Sequence, residues 1–178
     1  VTPTFELNSP RLSIRPWRPE DRPALEQMTG DAEMMRHITS GQVWTNQQVD
    51  ALLDRQAQHL ARHGICIGAI WLKSARQIIG LAGLQQHDDG LFELGWWVWK
   101  AHWRQGFASE AALACVEHAR AVMQLDCLVA IIDPPNIASR RVAEKIGMRH
   151  VDIRSAQETM AWREDIPVDY FRLDLAVP

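Results

Sequence analysis

A mixed α/β (α+β) fold, one mostly antiparallel sheet of about six or seven strands flanked by about four helices, is predicted by this chain of 178 residues. Three observations lead to it. Three apolar runs between residues 65 and 99 follow one another with only short turns between them, the pattern of neighbouring antiparallel strands. A helical stretch then leads to "LDCLVAIID" (125 to 133), apolar without alternation, so a strand covered on both faces is reached by a crossover and pairs in parallel. The composition is 47% apolar, enough for one domain over residues 1–178 to bury a core without disulfides or metals.

The elements follow in order. "RLSIRPW" (11 to 17) alternates as an edge strand does, and Pro19-Glu20-Asp21 opens a short helix to about Gly30. Residues 38 to 45 are irregular. Thr45 or Asn46 caps the next helix, whose Val49, Leu52, Leu53, Gln56 and Leu60 fall at helical spacing and which Gly64 stops. "ICIGAIWL" (65 to 72) and "QIIGLAGLQQ" (77 to 86) are strands, and His87-Asp88-Asp89-Gly90 turns the chain into "LFELGWWVW" (91 to 99). A helix from about Phe107 to Met123 carries Ala111, Cys115, Ala119 and Val122 along one face. Past the strand at 125 to 133, Asp133-Pro134-Pro135-Asn136 turns into the helix "IASRRVAEKIG", ended by Gly147, and strands near 148 to 154 and 169 to 176 follow, with 156 to 168 irregular.

Composition excludes some functions. A net charge of -3 with no Lys/Arg run leaves no footprint for nucleic acid, and no stretch approaches the roughly 18 apolar residues of a membrane span. No basic segment followed by an apolar run marks a leader. Cys66, Cys115 and Cys127 lie in apolar surroundings without CxxC spacing, as buried free thiols of a reducing compartment do, which points to the cytoplasm. His59 and His63 have the i, i+4 spacing of zinc ligands but no HExxH and no third ligand, so they are expected on a polar helix face and no metal is expected. "GLAGL" (80 to 84) lies inside a strand and opens no helix, unlike a dinucleotide fingerprint. Glu110 suits the helix dipole, and Arg140 is spaced for a surface ion pair with Glu144.

One segment asks for a partner. "HWRQGFASEAALACVEHARAV" (102 to 122) turns from a polar, glycine-centred loop into a helix with no capping side chain. A helix start leaves amide N–H groups unpaired and carries about half a positive charge, so a phosphate suits it, and Gly106 and Ala108 leave the backbone open to one.

"FELGWWVWKAHWRQGFASEAA" followed by "IIDPPNIASRRVAEKIGM" resembles the GNAT superfamily of acetyl-CoA-dependent N-acetyltransferases, and within it the branch that acetylates the N-terminal alanine or serine of ribosomal proteins. The likeness covers roughly residues 9 to 175 in element order, with the specific motifs within 93 to 148. It implies a sheet splayed between the strands at 91 to 99 and 125 to 133, with acetyl-CoA as co-substrate and its pantetheine arm in the gap. It also implies that the amides of Arg104, Gln105, Gly106, Phe107 and Ala108, with Ser109 following, bind the pyrophosphate. Trp103 stands where the family has Arg or Gln, and Arg104 where a glycine is common. Arg104 is then a phosphate contact or a solvated loop charge. The resemblance further assigns cofactor contacts to Trp97, Val98 and Trp99, with the Val98 backbone pairing with the pantetheine amides. Asn136 corresponds to the residue that bonds the pantetheine arm, or caps its helix, or does both, and Arg141 lies toward the phosphates.

Acetyl transfer needs a neutral amine, and an α-amino group has a pKa of about 7.7 to 8.0. Glu93, an ionisable group inside an apolar strand, is the candidate base, acting directly or through water; alternatively it bonds to backbone in the core. Many members carry a tyrosine acid where this chain has Ala143, and its only tyrosine is Tyr170. Ser139, one helical turn after Asn136, either protonates the leaving sulfur or positions the thioester. Met34, His37 and Trp44 are expected to wall the acceptor site. The face of Gly95, Trp97 and Trp99 suits a small-molecule or peptide amine with apolar substance beside it, rather than a polycation. A monomer or homodimer is expected. The alternative is a catalytically weak acetyl-CoA-binding sensor of the same fold.

Overall fold

The computed structural model describes residues 5–175. Its strands are β1 (Leu7–Asn8), β2 (Leu12–Arg15), β3 (Ile67–Leu72), β4 (Gln77–Gln86), β5 (Phe92–Val98), β6 (Cys127–Ile132), β7 (Arg149–Ser155) and β8 (Pro167–Asp174). The α-helices are α1 (Arg22–Thr29), α2 (Ala32–Met35), α3 (Asn46–His63), α4 (Phe107–Ala121) and α5 (Ile137–Lys145). The last strand starts two residues earlier than expected, and residue 176 of its expected span lies outside the described residues. The extra strand and extra helix, β1 and α2, have two and four residues, too short to leave a periodic signal.

All eight strands form one sheet in the order β1-β2-β3-β4-β5-β6-β8-β7. Every neighbour is antiparallel except β5 and β6, the expected parallel pair. Their pairing is a single bridge, Glu93 to Val129. Beyond it β5 runs on bonded to β4 alone and β6 bonded to β8 alone, so the sheet splays there. Gly80 explains part of "GLAGL": a Cβ at this strand position would lie 2.1 Å from the Trp97 carbonyl oxygen, so only glycine allows β4 and β5 to pair here.

Alternation along β5 divides the core. Phe92, Leu94, Trp96 and Val98 face the side covered by α4 and α5, with Ala111, Ala112, Cys115 and Ala143. Trp97 and Trp99 face the other side, where α1 and α3 bring Leu25, Met28, Val49 and Leu52 onto Ile67 and Leu81. Thr45, not Asn46, caps α3: its hydroxyl accepts from Gln48 N while Gln48 Oε1 accepts from Thr45 N. The three cysteines are free and buried, and burial pushes the Cys66 and Cys115 thiols up to about 12. No helix among the described residues is long and apolar enough to cross a membrane.

Candidate active site

The open edge of β5 follows from strand parity. Trp99 N donates to Ile79 O at 2.7 Å, so Trp99, Trp97 and Gly95 exchange backbone bonds with β4, whereas Trp96 and Val98 aim theirs at the gap. Trp103 Nε1 donates to Val98 O at 2.6 Å, which agrees with that direction. Trp97 and Trp99 therefore offer a ligand side chains only. Trp97 packs edge-on against Trp44, ring centres 5.7 Å apart, so two of the expected wall residues do meet.

At the far end of this edge the chain prepares α4. Arg104 (φ 60) and Gly106 (φ 81) both adopt the left-handed conformation, so Arg104 holds a backbone shape that favours the glycine common at its position. No side chain caps the helix. Glu110, the acid of its first turn, turns away to accept from Ser9 Oγ (2.7 Å), Arg11 N (2.9 Å) and Arg11 Nε (2.6 Å), so it does more than complement the helix dipole. The amides of Phe107, Ala108 and Ser109 lack helical partners, as first-turn amides must. The Arg11 guanidinium lies 4.3 Å over the Phe107 ring and donates to Gln105 O, adding a cation that the sequence did not announce. Open amides, left-handed turns and a nearby cation suit a diphosphate.

Asn136 caps α5 through Oδ1, which accepts from Ser139 N at 3.1 Å, and its amide NH₂ has no partner among the described residues. The Ser139 hydroxyl is likewise unengaged there, and Arg141 is exposed. The expected Arg140–Glu144 pair does not form. Arg140 instead reaches Asp169 at 3.2 Å, a buried carboxylate that His150 also holds and that attracts the cation more strongly than a solvated Glu144 would. His37, expected in the acceptor wall, has Nδ1 2.5 Å from Asp133 at the end of β6. Nearby, Lys100, just past β5, donates its backbone N–H to Met34 Sδ and pairs with Asp31 at 2.7 Å. The segment 31–37 thus touches the ends of both diverging strands, forming a strap across the mouth of the gap.

Glu93 stands at the one bridge between β5 and β6 and is 6% exposed. It bonds to side chains rather than backbone: His87 Nε2 and Arg163 Nη2 each lie 2.6 Å from its Oε2. Burial pushes its pKa up, but the Arg163 charge and the bonds from His87 and Arg163 outweigh this and hold it well below the usual carboxylate range. A carboxylate held so acidic is a weak direct acceptor for an ammonium proton, which favours the relayed form of the expected Glu93 role over the direct one. The sequence missed His87 and Arg163 because one lies in a turn and the other 70 residues away in an irregular loop.

The Glu93 carboxylate can only accept, so His87 Nε2 donates to it, and His87 Nδ1 is buried without a partner. His59 is no metal ligand in waiting: its Nδ1 lies 2.7 Å from Ile65 O and its Nε2 accepts from Gln86 N, so both ring nitrogens are engaged. Among the described residues no group of three His, Cys, Asp or Glu is placed to hold a metal.

A family model described as an acetyltransferase (GNAT) domain matches residues 11–149. An uncharacterised N-acetyltransferase of Bacillus subtilis is 31% identical over 146 residues, covering 82% of this chain and 83% of that protein. Among solved structures, a GNAT acetyltransferase from Bacillus anthracis superposes with a TM-score of 0.79 at 23% identity, covering 96% of this chain and 99% of that one. An acetyltransferase from Salmonella typhimurium that modifies the N-terminal serine of a ribosomal subunit protein gives 0.77 at 16% identity, covering 97% and 100%. With its one parallel bridge, its splayed strands and its uncapped helix start, the chain belongs to the GNAT family and is an acetyl-CoA-dependent N-acetyltransferase.

Proposed function

We propose that the protein acetylates the primary amine of a peptide amino terminus or small metabolite, by direct attack in a ternary complex. The observation that carries this is Glu93, a buried ionised carboxylate at the vertex of the gap, backed by a histidine with a free ring nitrogen. Acetyl-CoA, when bound, supplies the thioester carbonyl that the amine attacks. The amides of Arg104 to Ser109 hold its phosphates, with Arg104 and Arg141 as added charge. The Val98 backbone and the Asn136 amide hold the arm, and Trp97 and Trp99 line the acceptor side.

Glu93 works through His87. By accepting the Nε2 proton it leaves the Nδ1 lone pair unshared, and because the His87 side chain is wholly buried that nitrogen receives the amine proton through water rather than by direct contact. Ser139 attends the sulfur, where a thiol of pKa near 8.5 leaves with little help, so its contribution is positional before it is acidic.

The test is kcat/KM against pH. Both His87→Gln and Glu93→Gln should lower it by about 10²- to 10⁴-fold and remove the limb that rises with pH, with CoA affinity little changed. Because Glu93→Gln strands Arg163, Glu93→Gln combined with Arg163→Met checks that lost stability is not the cause. A Glu93→Gln enzyme with wild-type rate and profile would sink the assignment.

A further inference from the structure

Beside His87 lies a cleft of about 270 Å³ between α3, the β4–β5 turn and the loop that carries Trp162. Its walls are cationic in a protein of net charge -3: Arg55 and Arg62 line it, and neither forms an ion pair among the described residues. Arg55 stacks over Trp162 at 4.1 Å, and Arg163 stands 5.4 Å from the same ring. Two guanidinium groups thus flank one indole, but only Arg163 has a counter-charge, since Glu93 is its partner. Arg55 Nε is buried without a partner, and so is the Nδ1 of His87, whose side chain is fully buried. Burial and the Arg163 charge both push the Arg55 pKa down. A half-buried guanidinium with a buried, unpartnered Nε and no counter-charge is costly, and an anion in the cleft would reduce that cost. Asp88, on the wall, accepts from Ala161 N at 2.7 Å and keeps its charge, so two guanidinium groups face one carboxylate and the lining stays net positive.

We propose that this cleft binds a carboxylate, so that the preferred acceptor is an amine that also carries an acidic group. This rests on the acceptor site proposed above and adds the chemical class of the acceptor. The amine lies at the inner end, toward the buried His87, while Arg55 and Arg62 hold the carboxylate farther out. The volume falls below the roughly 300 to 1,000 Å³ of sites for drug-sized ligands, which suits an amino acid or the first residues of a peptide. Polyamines and aminoglycosides meet like charge here and are disfavoured.

Two pairs of acceptors test the proposal and separate the sources of the carboxylate: an α-amino acid against its carboxamide, and a peptide with glutamate second against the same peptide with glutamine. At least one acid should exceed its neutral mate in kcat/KM by about tenfold or more, and the preference should shrink as salt is raised. Arg55→Gln and Arg62→Gln should each reduce the preference, and Arg62→Glu should reverse it toward cationic amines, with melting curves to confirm folding. Calorimetry with the N-acetylated acid and its amide reads the same preference without turnover. Equal turnover and equal binding of acid and amide in both pairs overturn the proposal. If no amine is acetylated yet the acetylated acid still binds better than its amide, the carboxylate site stands and the catalytic assignment fails.

Discussion

At Gly106 one backbone angle decides how α4 begins. Its φ of 81 is left-handed, and an added Cβ would meet only Arg11 Nη2, at an ordinary 3.5 Å, so glycine is required for conformation rather than for space. Gly106→Ala should cost about 1 to 2 kcal/mol of stability with CoA affinity reduced little, whereas Gly106→Glu should add like-charge repulsion and abolish CoA binding. Calorimetry on folded variants checks this, and equal CoA affinity for the two would place the phosphates elsewhere. Glu93 is the converse case at the same scale. Its position inside an apolar strand marks it out, but its ionisation is set by His87, six residues away in a turn, and by Arg163, 70 residues away.

At the scale of elements, His59 joins α3 to the ends of β3 and β4 through its two ring nitrogens. Burial lowers its pKa despite the opposing bond to Ile65, so the folded protein holds it neutral. A folded pKa below the unfolded value of about 6.5 means that stability is complete above that pH and is lost as pH falls below it. His118, lowered by burial, adds the same sign. Urea unfolding should therefore show stability falling below about pH 6.5, and His59→Gln should be less stable at pH 7 by about 1 to 3 kcal/mol yet lose less on acidification. An unchanged slope in the variant would remove His59 from this account.

For the molecule as a whole, the governing feature is that β5 and β6 part after a single bridge, with the strap at 31–37 across their mouth. The Trp96 and Val98 amides then face the gap, while those of Trp97 and Trp99 bond to β4. Hydrogen exchange followed by NMR should show Trp96 and Val98 exchanging faster than Trp97 and Trp99 in the free protein and slowing when acetyl-CoA is added. Equal protection of all four in the free protein would mean that the gap is closed in solution.

What the sequence determined by itself is local. The helix start at Thr45 or Asn46, the turn at His87 to Gly90, the alternation along β5 and the uncapped start of α4 depend on neighbours within one or two turns, so periodicity and turn chemistry expose them. The parallel pair was legible too, because a strand reached through a helical crossover has few other ways to join the sheet. What only the tertiary structure decided is which charges meet. Arg163 reaches Glu93 across 70 residues, His37 reaches Asp133 across 96, Arg11 reaches Glu110 across 99, and Arg140 prefers Asp169 to its helical neighbour Glu144. An ion pair leaves no periodicity in a sequence. Its partners are chosen by which buried charge most needs compensation once the sheet has closed around it, and at Glu93 that choice brought in His87 and Arg163.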